Sequence, residues 1–348
     1  MLKIISDFLP APLFVKKKHV KRRKFSFKMF IKKCYLSKNI FRILGKLKYI
    51  SQIYELLEDE YSKSILIRVL SGRIFGFGNI VVSPYTNILL KNNKFFFKKI
   101  IVPNQGLDVE KYKLKLFNLR PIGYPINLYN DNQTIFSIFY LQQYRYNHKN
   151  VIGAEEGDFV LDAGSCWGDT ALYFATKVGS IGKVFSFEFL ERNLIIFNEN
   201  LNLNQNLKHI IEITKHPIWK ESNRTINYYE DGVCGVVSLN RKKLLSQKLS
   251  TISIDDFIKE KNLTKIDFIK MDIEGAEIAA LLGAKETLMK FKPKLAISIY
   301  HKFEHYYKIP YFINSLNLNY KFYLDHFSLG PAETILFGVV PENKNIFG

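Results

Sequence analysis

Residues 159–171 read Phe159-Val-Leu161-Asp162-Ala-Gly164-Ser165-Cys166-Trp-Gly168-Asp-Thr170-Ala171, and this stretch decides the fold. An apolar run of strand composition stops at an acid. Glycines at two places permit a tight turn, and Thr170-Ala-Leu-Tyr-Phe-Ala175 continues as a helix. A strand, a glycine-bearing loop and a helix in that order let a nucleotide-like ligand approach the backbone closely. A second unit follows, in which Val184-Phe-Ser-Phe187 ends in Glu188. An acid at the end of a second strand, about 20 residues or more beyond the loop, is placed to accept hydrogen bonds from ribose hydroxyls.

The glycine spacing selects the nucleotide. A dinucleotide site needs G-x-G-x-x-G, whose second glycine lets backbone reach a pyrophosphate. Counted from Gly164, the second and third glycine positions hold Cys166 and Asp169. A side chain and a new negative charge both oppose a diphosphate. S-adenosylmethionine (SAM) has no phosphate and carries a sulfonium cation, which suits an acid-bounded loop. A βα turn with no ligand is the competing account.

Downstream of Gly157, apolar runs of β type recur at 159–161, 184–187, 210–213, 266–271, 295–299, 320–324 and 334–340. Helical segments separate most of them, the best running from Ala276 to Met289. Strands alternating with helices predict a mainly parallel sheet covered on both faces. Seven strands, the last two joined without an evident helix, give an α/β fold of the class I (Rossmann-like, seven-stranded) SAM-dependent methyltransferase type. Ligands of such sheets sit beyond the carboxyl ends of the strands. The expected organisation is a basic N-terminal arm (1–40), a helical and mixed accessory region (41–150) and the SAM-dependent methyltransferase domain (151–348). Within the accessory region, 41–74 reads as two helices, the second capped by Asp59 or Ser62. Ile80-Val-Val82 and Phe95-Phe-Phe97 have β composition.

The formal charge is +19, but it is uneven. Residues 1–50 hold 15 Lys and Arg against one acid, while 51–348 hold 36 against 31. Lys16-Lys-Lys18 and Lys21-Arg-Arg-Lys24, followed by Phe25, Phe27 and Phe30, suit an anionic membrane surface or nucleic acid. A solvated arm is the plainer account. No run near 20 residues is free of charge, and the start lacks the pattern of a signal peptide. Cys34, Cys166 and Cys234 are too few and scattered for a disulfide framework or a zinc site. A cytoplasmic setting is expected, with peripheral contact at the inner membrane face through the arm.

Three further clusters carry chemistry. In Ile266-Asp-Phe-Ile-Lys-Met-Asp272-Ile-Glu274-Gly-Ala-Glu277 a strand ends at Asp272 and a helix starts beyond Gly275. A carboxylate there can orient a substrate hydroxyl or accept its proton; capping of the helix is the structural alternative. His301, in Ser298-Ile-Tyr-His301-Lys302, and His326, in Leu324-Asp-His326, follow the fifth and sixth strands. A neutral imidazole at such an end can act as general base, and His301 is the expected base. Ile218 and Trp219, after the third strand, are placed to flank an adenine ring. His301, Glu304 and His305 are too unspecifically spaced to indicate a metal, and none is expected.

These residues resemble the FkbM family of SAM-dependent methyltransferases. The resemblance rests on Asp162–Ala175, Phe187-Glu-Phe189, Ile218-Trp219, Ser253-Ile-Asp-Asp-Phe257 and above all Lys270-Met-Asp-Ile-Glu-Gly-Ala-Glu277. Tyr300-His-Lys302, Asp325-His326 and Glu333-Thr-Ile-Leu336 are similar to its C-terminal elements, and Gln142-Gln-Tyr144 to an N-terminal extension found in some members. The resemblance implies O-methylation of a hydroxyl, often on a sugar, glycan or polyketide-derived product. By matching positions it implies Asp162, Gly164 and Gly168 for SAM, Glu188 for its ribose, and Asp272 with Glu274 near the reaction centre. The reading of the loop and strand ends adds Ser165, Cys166, Thr170, Phe189, Ile218 and Trp219 around SAM, and His301 and His326 as further catalytic candidates. Ser165-Cys166-Trp167, where many members have Ala-Asn and a small residue, departs from the pattern, as does His305 where an acid is usual.

The leading reading is therefore an O-methyltransferase acting on a sugar, glycan or small-molecule acceptor. A nucleic-acid methyltransferase is the alternative that the basic arm favours. It lacks support from any Asn/Asp-Pro-Pro-aromatic motif, so no nucleic-acid partner is expected. A third reading is a SAM-fold scaffold in glycan biosynthesis that has lost activity. The intact Asp162, Gly164, Gly168, Glu188 and Asp272 speak against it.

Overall fold

The computed structural model describes residues 43, 45–90, 94–231, 234–238 and 247–341. The basic arm lies outside them. The centre is a sheet of seven strands: β1 Phe159–Ala163, β2 Lys183–Phe187, β3 Ile211–Thr214, β4 Phe268–Met271, β5 Lys294–Ser298, β6 Lys321–His326 and β7 Thr334–Val339. Their spatial order is β6-β7-β5-β4-β1-β2-β3. All pairings are parallel except those of β7, which runs antiparallel to both β5 and β6. The seven predicted runs are thus the seven strands.

The strands read as almost continuous apolar runs because both sheet faces are buried. Leu161, Leu295 and Ile297 face one core, while Val160, Ala296 and Phe337 face the other. The chain leaves β1 toward β2 and β3, then returns to β4 on the opposite side. The direction of winding therefore reverses between β1 and β4, where Lys270 pairs with Asp162 and Met271 with Ala163. A crevice opens at such a reversal, beyond the carboxyl ends of the two strands.

Helices α1 (Leu47–Leu56) and α2 (Glu60–Phe75) bear out the predicted pair. Asp59, not Ser62, caps α2, accepting the Ser62 N–H at 2.8 Å. The Ser62 hydroxyl instead accepts the Leu324 N–H of β6 at 2.9 Å. A three-stranded antiparallel meander follows, from Ile101–Val109 through Tyr112–Asn118 to Asn127–Asn130. Helices α3 (Asp169–Val178), α4 (Glu191–Asn202), α5 (Ile254–Glu260), α6 (Glu277–Leu282), α7 (Lys285–Phe291) and α8 (His305–Ser315) flank the sheet.

Two expectations are corrected. The helix predicted over 276–289 is two helices, broken at Gly283. The Gly283 carbonyl accepts the Asp255 N–H at 2.8 Å, and its Cα lies so near the Trp219 carbonyl that no Cβ would fit. Tertiary packing of two loops thus overrides the local helical pattern. Phe95-Phe-Phe97 belongs to a helix, Lys94–Ile100, and Ile80-Val-Val82 forms no strand. The helical turn turns Phe96 onto Phe136 and Tyr140, at 5.7 and 5.0 Å between ring centroids.

Candidate active site

The loop between β1 and α3 is held by the protein on all sides. Gly164 has φ +84° and Gly168 φ +79°. A Cβ on Gly164 would collide with the Asp272 carbonyl, and one on Gly168 with the Phe197 ring. Both glycines therefore serve close packing as well as positive φ. Cys166 also adopts a left-handed φ, +47°, and is half-buried. Ser165 is fully buried, its hydroxyl 3.3 Å from the carbonyls of Asp162 and Phe187. Trp167 is buried and donates its indole N–H to Asn193 at 3.2 Å.

Asp162 lies inside β1, not beyond it, and is wholly buried. It accepts the Thr170 hydroxyl at 2.7 Å and pairs with Lys270 Nζ at 3.1 Å. Lys270, which is also buried, donates to the Ala163 and Gly164 carbonyls. Burial opposes the ammonium charge, but Asp162 and Asp272 outweigh it and push the Lys270 pKa up. Asp162 and Thr170 thus shape the loop from beneath, and Lys270 clamps it.

Glu188 stands at the end of β2 and is 7% exposed. One carboxylate oxygen accepts the Phe189 and Leu190 N–H groups at 2.7 and 2.8 Å, and Asn193 donates to the other at 3.1 Å. The first oxygen is committed to the start of α4. The second retains lone-pair capacity for a ribose hydroxyl. Burial pushes the Glu188 carboxyl up to about 7, against the opposing pull of these hydrogen bonds. The Phe189 ring meets Tyr228 edge-on at 5.1 Å. Ile218 is buried in the main core, while Trp219 is half-buried with an indole N–H that finds no partner among the described residues.

Beyond β4 and β5 the structure brings the acids and His301 together. His301 Nε2 lies 3.3 Å from both Asp272 and Glu274, and Nδ1 lies 2.8 Å from Glu277. Glu277, fully buried, also meets His305 Nδ1 at 3.1 Å. Asp272 accepts the Tyr144 hydroxyl at 2.8 Å and that of Tyr300 at 3.3 Å. Glu274 has φ +54° and Glu333 φ +61°, backbone states that side-chain-bearing residues seldom adopt outside constrained sites. Glu333 immediately precedes β7 and accepts a hydrogen bond from Gln143 at 3.1 Å.

This electrostatic setting opposes the expected role of His301. Burial lowers its pKa, but Glu274, Glu277 and Asp272 outweigh that and push it up to about 11. Glu277 is the counterpart: burial works against its charge, yet His301 and His305 hold its carboxyl well below the usual range. An imidazolium at neutral pH cannot accept a proton. Burial and the neighbouring Asp272 instead raise the Glu333 carboxyl. Asp272, Glu277 and His301 each bring one ligand-type atom within 4.8 Å of the others. That spacing is compatible with a bound cation.

His326 does not join this cluster. It is fully buried, its Nδ1 2.8 Å from the Thr334 hydroxyl, and burial pushes its pKa down to about 4. Thr334 follows Glu333, so the neutral His326 braces the strand that carries that acid. The sequence reading did not assign Tyr144, Gln143, Lys270, Glu277, Tyr300 or Glu333 to the site. All six lie within motifs that the sequence displays, but their convergence depends on tertiary pairing.

A family model, the methyltransferase FkbM domain, matches residues 152–326. The crystal structure of methyltransferase FkbM from Methylobacillus flagellatus KT is similar at a TM-score of 0.54 and 19% identity, covering 85% of this chain and 60% of that one. The chain thus spans three fifths of that relative's length. Aeropyrum pernix fibrillarin, in complex with natively bound SAM, gives a TM-score of 0.35 at 12% identity, covering 68% of this chain and 99% of that one. A SAM-dependent methyltransferase from Aquifex aeolicus gives 0.34 at 18% identity, covering 61% and 95%. No curated protein matches in sequence. Strand order and the first of these structures agree on the class I SAM-dependent methyltransferase fold.

Proposed function

The chain belongs to the FkbM methyltransferase family, and from that premise we propose that it moves the methyl group of SAM to a hydroxyl of a sugar, glycan or related metabolite. The observation that carries this reading is the cluster of Asp272, Glu274 and Glu333 at the strand ends beside the glycine loop, with Tyr144, Tyr300 and Gln143 turned onto it. A site so rich in buried polar groups favours a polyhydroxylated acceptor, because an apolar one would leave those groups unmatched.

SAM supplies an electrophilic methyl group for a single in-line displacement. The loop from Gly164 to Thr170, with Ser165, Cys166 and Gly168, gives its backbone a close approach to the nucleoside. The Glu188 oxygen that Asn193 reaches keeps a lone pair that would accept ribose hydroxyls, and Phe189, Ile218 and Trp219 would flank the base. Asp272, held from two sides by Tyr144 and Tyr300, orients the acceptor hydroxyl. His301, as an imidazolium, pairs with Asp272 and Glu274 and fixes them in place. Glu333 takes the proton, because its raised pKa lies nearer the working pH than that of an ordinary carboxylate. Positioning of donor and acceptor supplies much of the rate. The basic arm adds peripheral contact with an anionic membrane.

The test is a pH profile of methyl transfer. Glu333→Gln should lower kcat by roughly 10²–10⁴-fold and erase the acid-limb inflection while SAM affinity holds. An unchanged profile in that variant would remove Glu333 from the proton path.

A further inference from the structure

A second cleft, of about 520 Å³, opens against the last turn of α3. Helix α3 begins at Asp169 beside the glycine loop, and Lys177 follows eight residues later. At ~1.5 Å per residue that is about 12 Å along the helix, so the cleft is separate from the methyl-transfer site. We propose that this cleft binds a sugar residue carrying an anionic substituent, as part of an acceptor longer than the unit being methylated. The choice of a sugar rests on the function proposed above; the anionic character does not.

Three observations converge. First, Lys177 presents a positive charge matched only by aromatic rings. Its Nζ lies 4.8 Å over Tyr124 and 5.3 Å over Tyr173, and among the described residues no carboxylate oxygen is within 4.0 Å of it. Burial and the nearby positive Arg145 push its pKa down, so an arriving anion would relieve both strains. Lys99 lines the same cleft. Second, Tyr124 lines the cleft at 5% exposure, and its buried hydroxyl has no hydrogen-bond partner among the described residues. Such a group costs free energy until a ligand matches it. Third, Tyr140 offers ring surface at 48% exposure, and Phe139 adds apolar wall.

The ring arrangement favours a sugar over a nucleobase. Tyr140 is stacked on Phe136 at 4.8 Å, in direct contact, so no slot is open between that pair. Tyr124 and Phe139 meet edge-on at 5.1 Å. A saccharide needs one ring platform, hydrogen-bonding groups and, when acidic, a cation. The segment is continuous with the chemistry: Gln142 lines the cleft, and the next two residues touch Glu333 and Asp272.

The experiment is calorimetric titration of the full chain, its nucleoside site filled with saturating S-adenosylhomocysteine, with glucose 6-phosphate, glucuronate, glucose and AMP. The two acidic sugars separate a phosphate from a carboxylate source. At least one should bind tenfold or more tightly than glucose, and its affinity should fall with salt. Lys177→Gln and Tyr140→Ala should each weaken it at least tenfold while SAM titrations match the parent. Equal binding of glucose, tighter binding of AMP than of either acidic sugar, or parent-like affinity in Lys177→Gln would overturn the proposal. A chain that binds these probes but methylates no sugar hydroxyl would fail the proposed function and uphold this site. A chain that methylates sugars but ignores the probes would do the reverse.

Discussion

At the scale of single residues, charge state decides role. Glu188 and His301 both stand above their ordinary values, and each acts in its own pH window. The Glu188 carboxyl rises to about 7 in the fold through burial, from about 4.3 unfolded. The folded chain then holds a proton that the unfolded chain has released. Stability from this group is therefore greatest below about pH 4.3 and declines as pH rises toward 7. SAM affinity should strengthen over the upper part of that window, as the carboxylate proposed to accept ribose hydroxyls forms. Calorimetry between pH 6 and 8 checks this, and Glu188→Gln should flatten the slope; a pH-independent affinity in the parent would contradict it. His301 is held up to about 11, from about 6.5 unfolded. Its stabilisation is fully present below about pH 6.5 and is lost as pH rises through 11. His301→Gln should therefore lower the urea midpoint at pH 7 and leave the acid-limb inflection of the rate in place. Loss of that inflection would restore His301 as the base. The sequence shows where these residues stand but not how they are charged. Strand-end logic locates Asp272, Glu274 and Glu188 because an acid after an apolar run is visible in one dimension. The charge of His301 depends on three carboxylates across a loop, which no spacing displays.

At the scale of elements, the accessory region is tied to the sheet edge and reaches the candidate site. Asp325, on β6 and 1% exposed, accepts the hydroxyls of Tyr61 and Tyr85 at 2.8 Å each. Tyr61 lies on α2 and Tyr85 in the segment after it, so one carboxylate ties both to the sheet edge. Asp325→Ala should cost about 1–3 kcal/mol for each buried hydroxyl left unmatched. It should also weaken turnover, because Tyr144 and Gln143 reach the site from the same region. Urea denaturation and a turnover assay on one preparation check this; a parent-like midpoint would show that the tether carries no stability. The strands from β1 to β7 were legible because each is an apolar run bounded by turn residues. The accessory topology was not, because its short elements take their stability from distant side chains. Phe95-Phe-Phe97 shows the difficulty: its β composition yields to a helix whose aromatic partners lie some 40 residues on. Gly283 shows the converse, a helix broken by a backbone contact that only the fold creates.

At the scale of the whole molecule, charge and chemistry are separated. The basic arm carries most of the positive excess and lies outside the described residues, while the site is ringed by carboxylates. No helix among the described residues is long and apolar enough to cross a membrane. Removing residues 1–40 should release the protein from anionic vesicles in a salt-sensitive way, at about 1 kcal/mol or less per basic residue, without changing SAM affinity. Equal vesicle binding by the shortened chain would end the electrostatic-anchor reading. The central claim is that the strand-end carboxylates serve methyl transfer to a sugar hydroxyl. Its most direct test is mass spectrometry of an oligosaccharide panel incubated with the full chain and methyl-labelled SAM. Label is expected in an ether-linked methyl on a sugar oxygen, abolished by Asp272→Asn. Label on a nucleic-acid base or an amine, or transfer that survives Asp272→Asn undiminished, would contradict it.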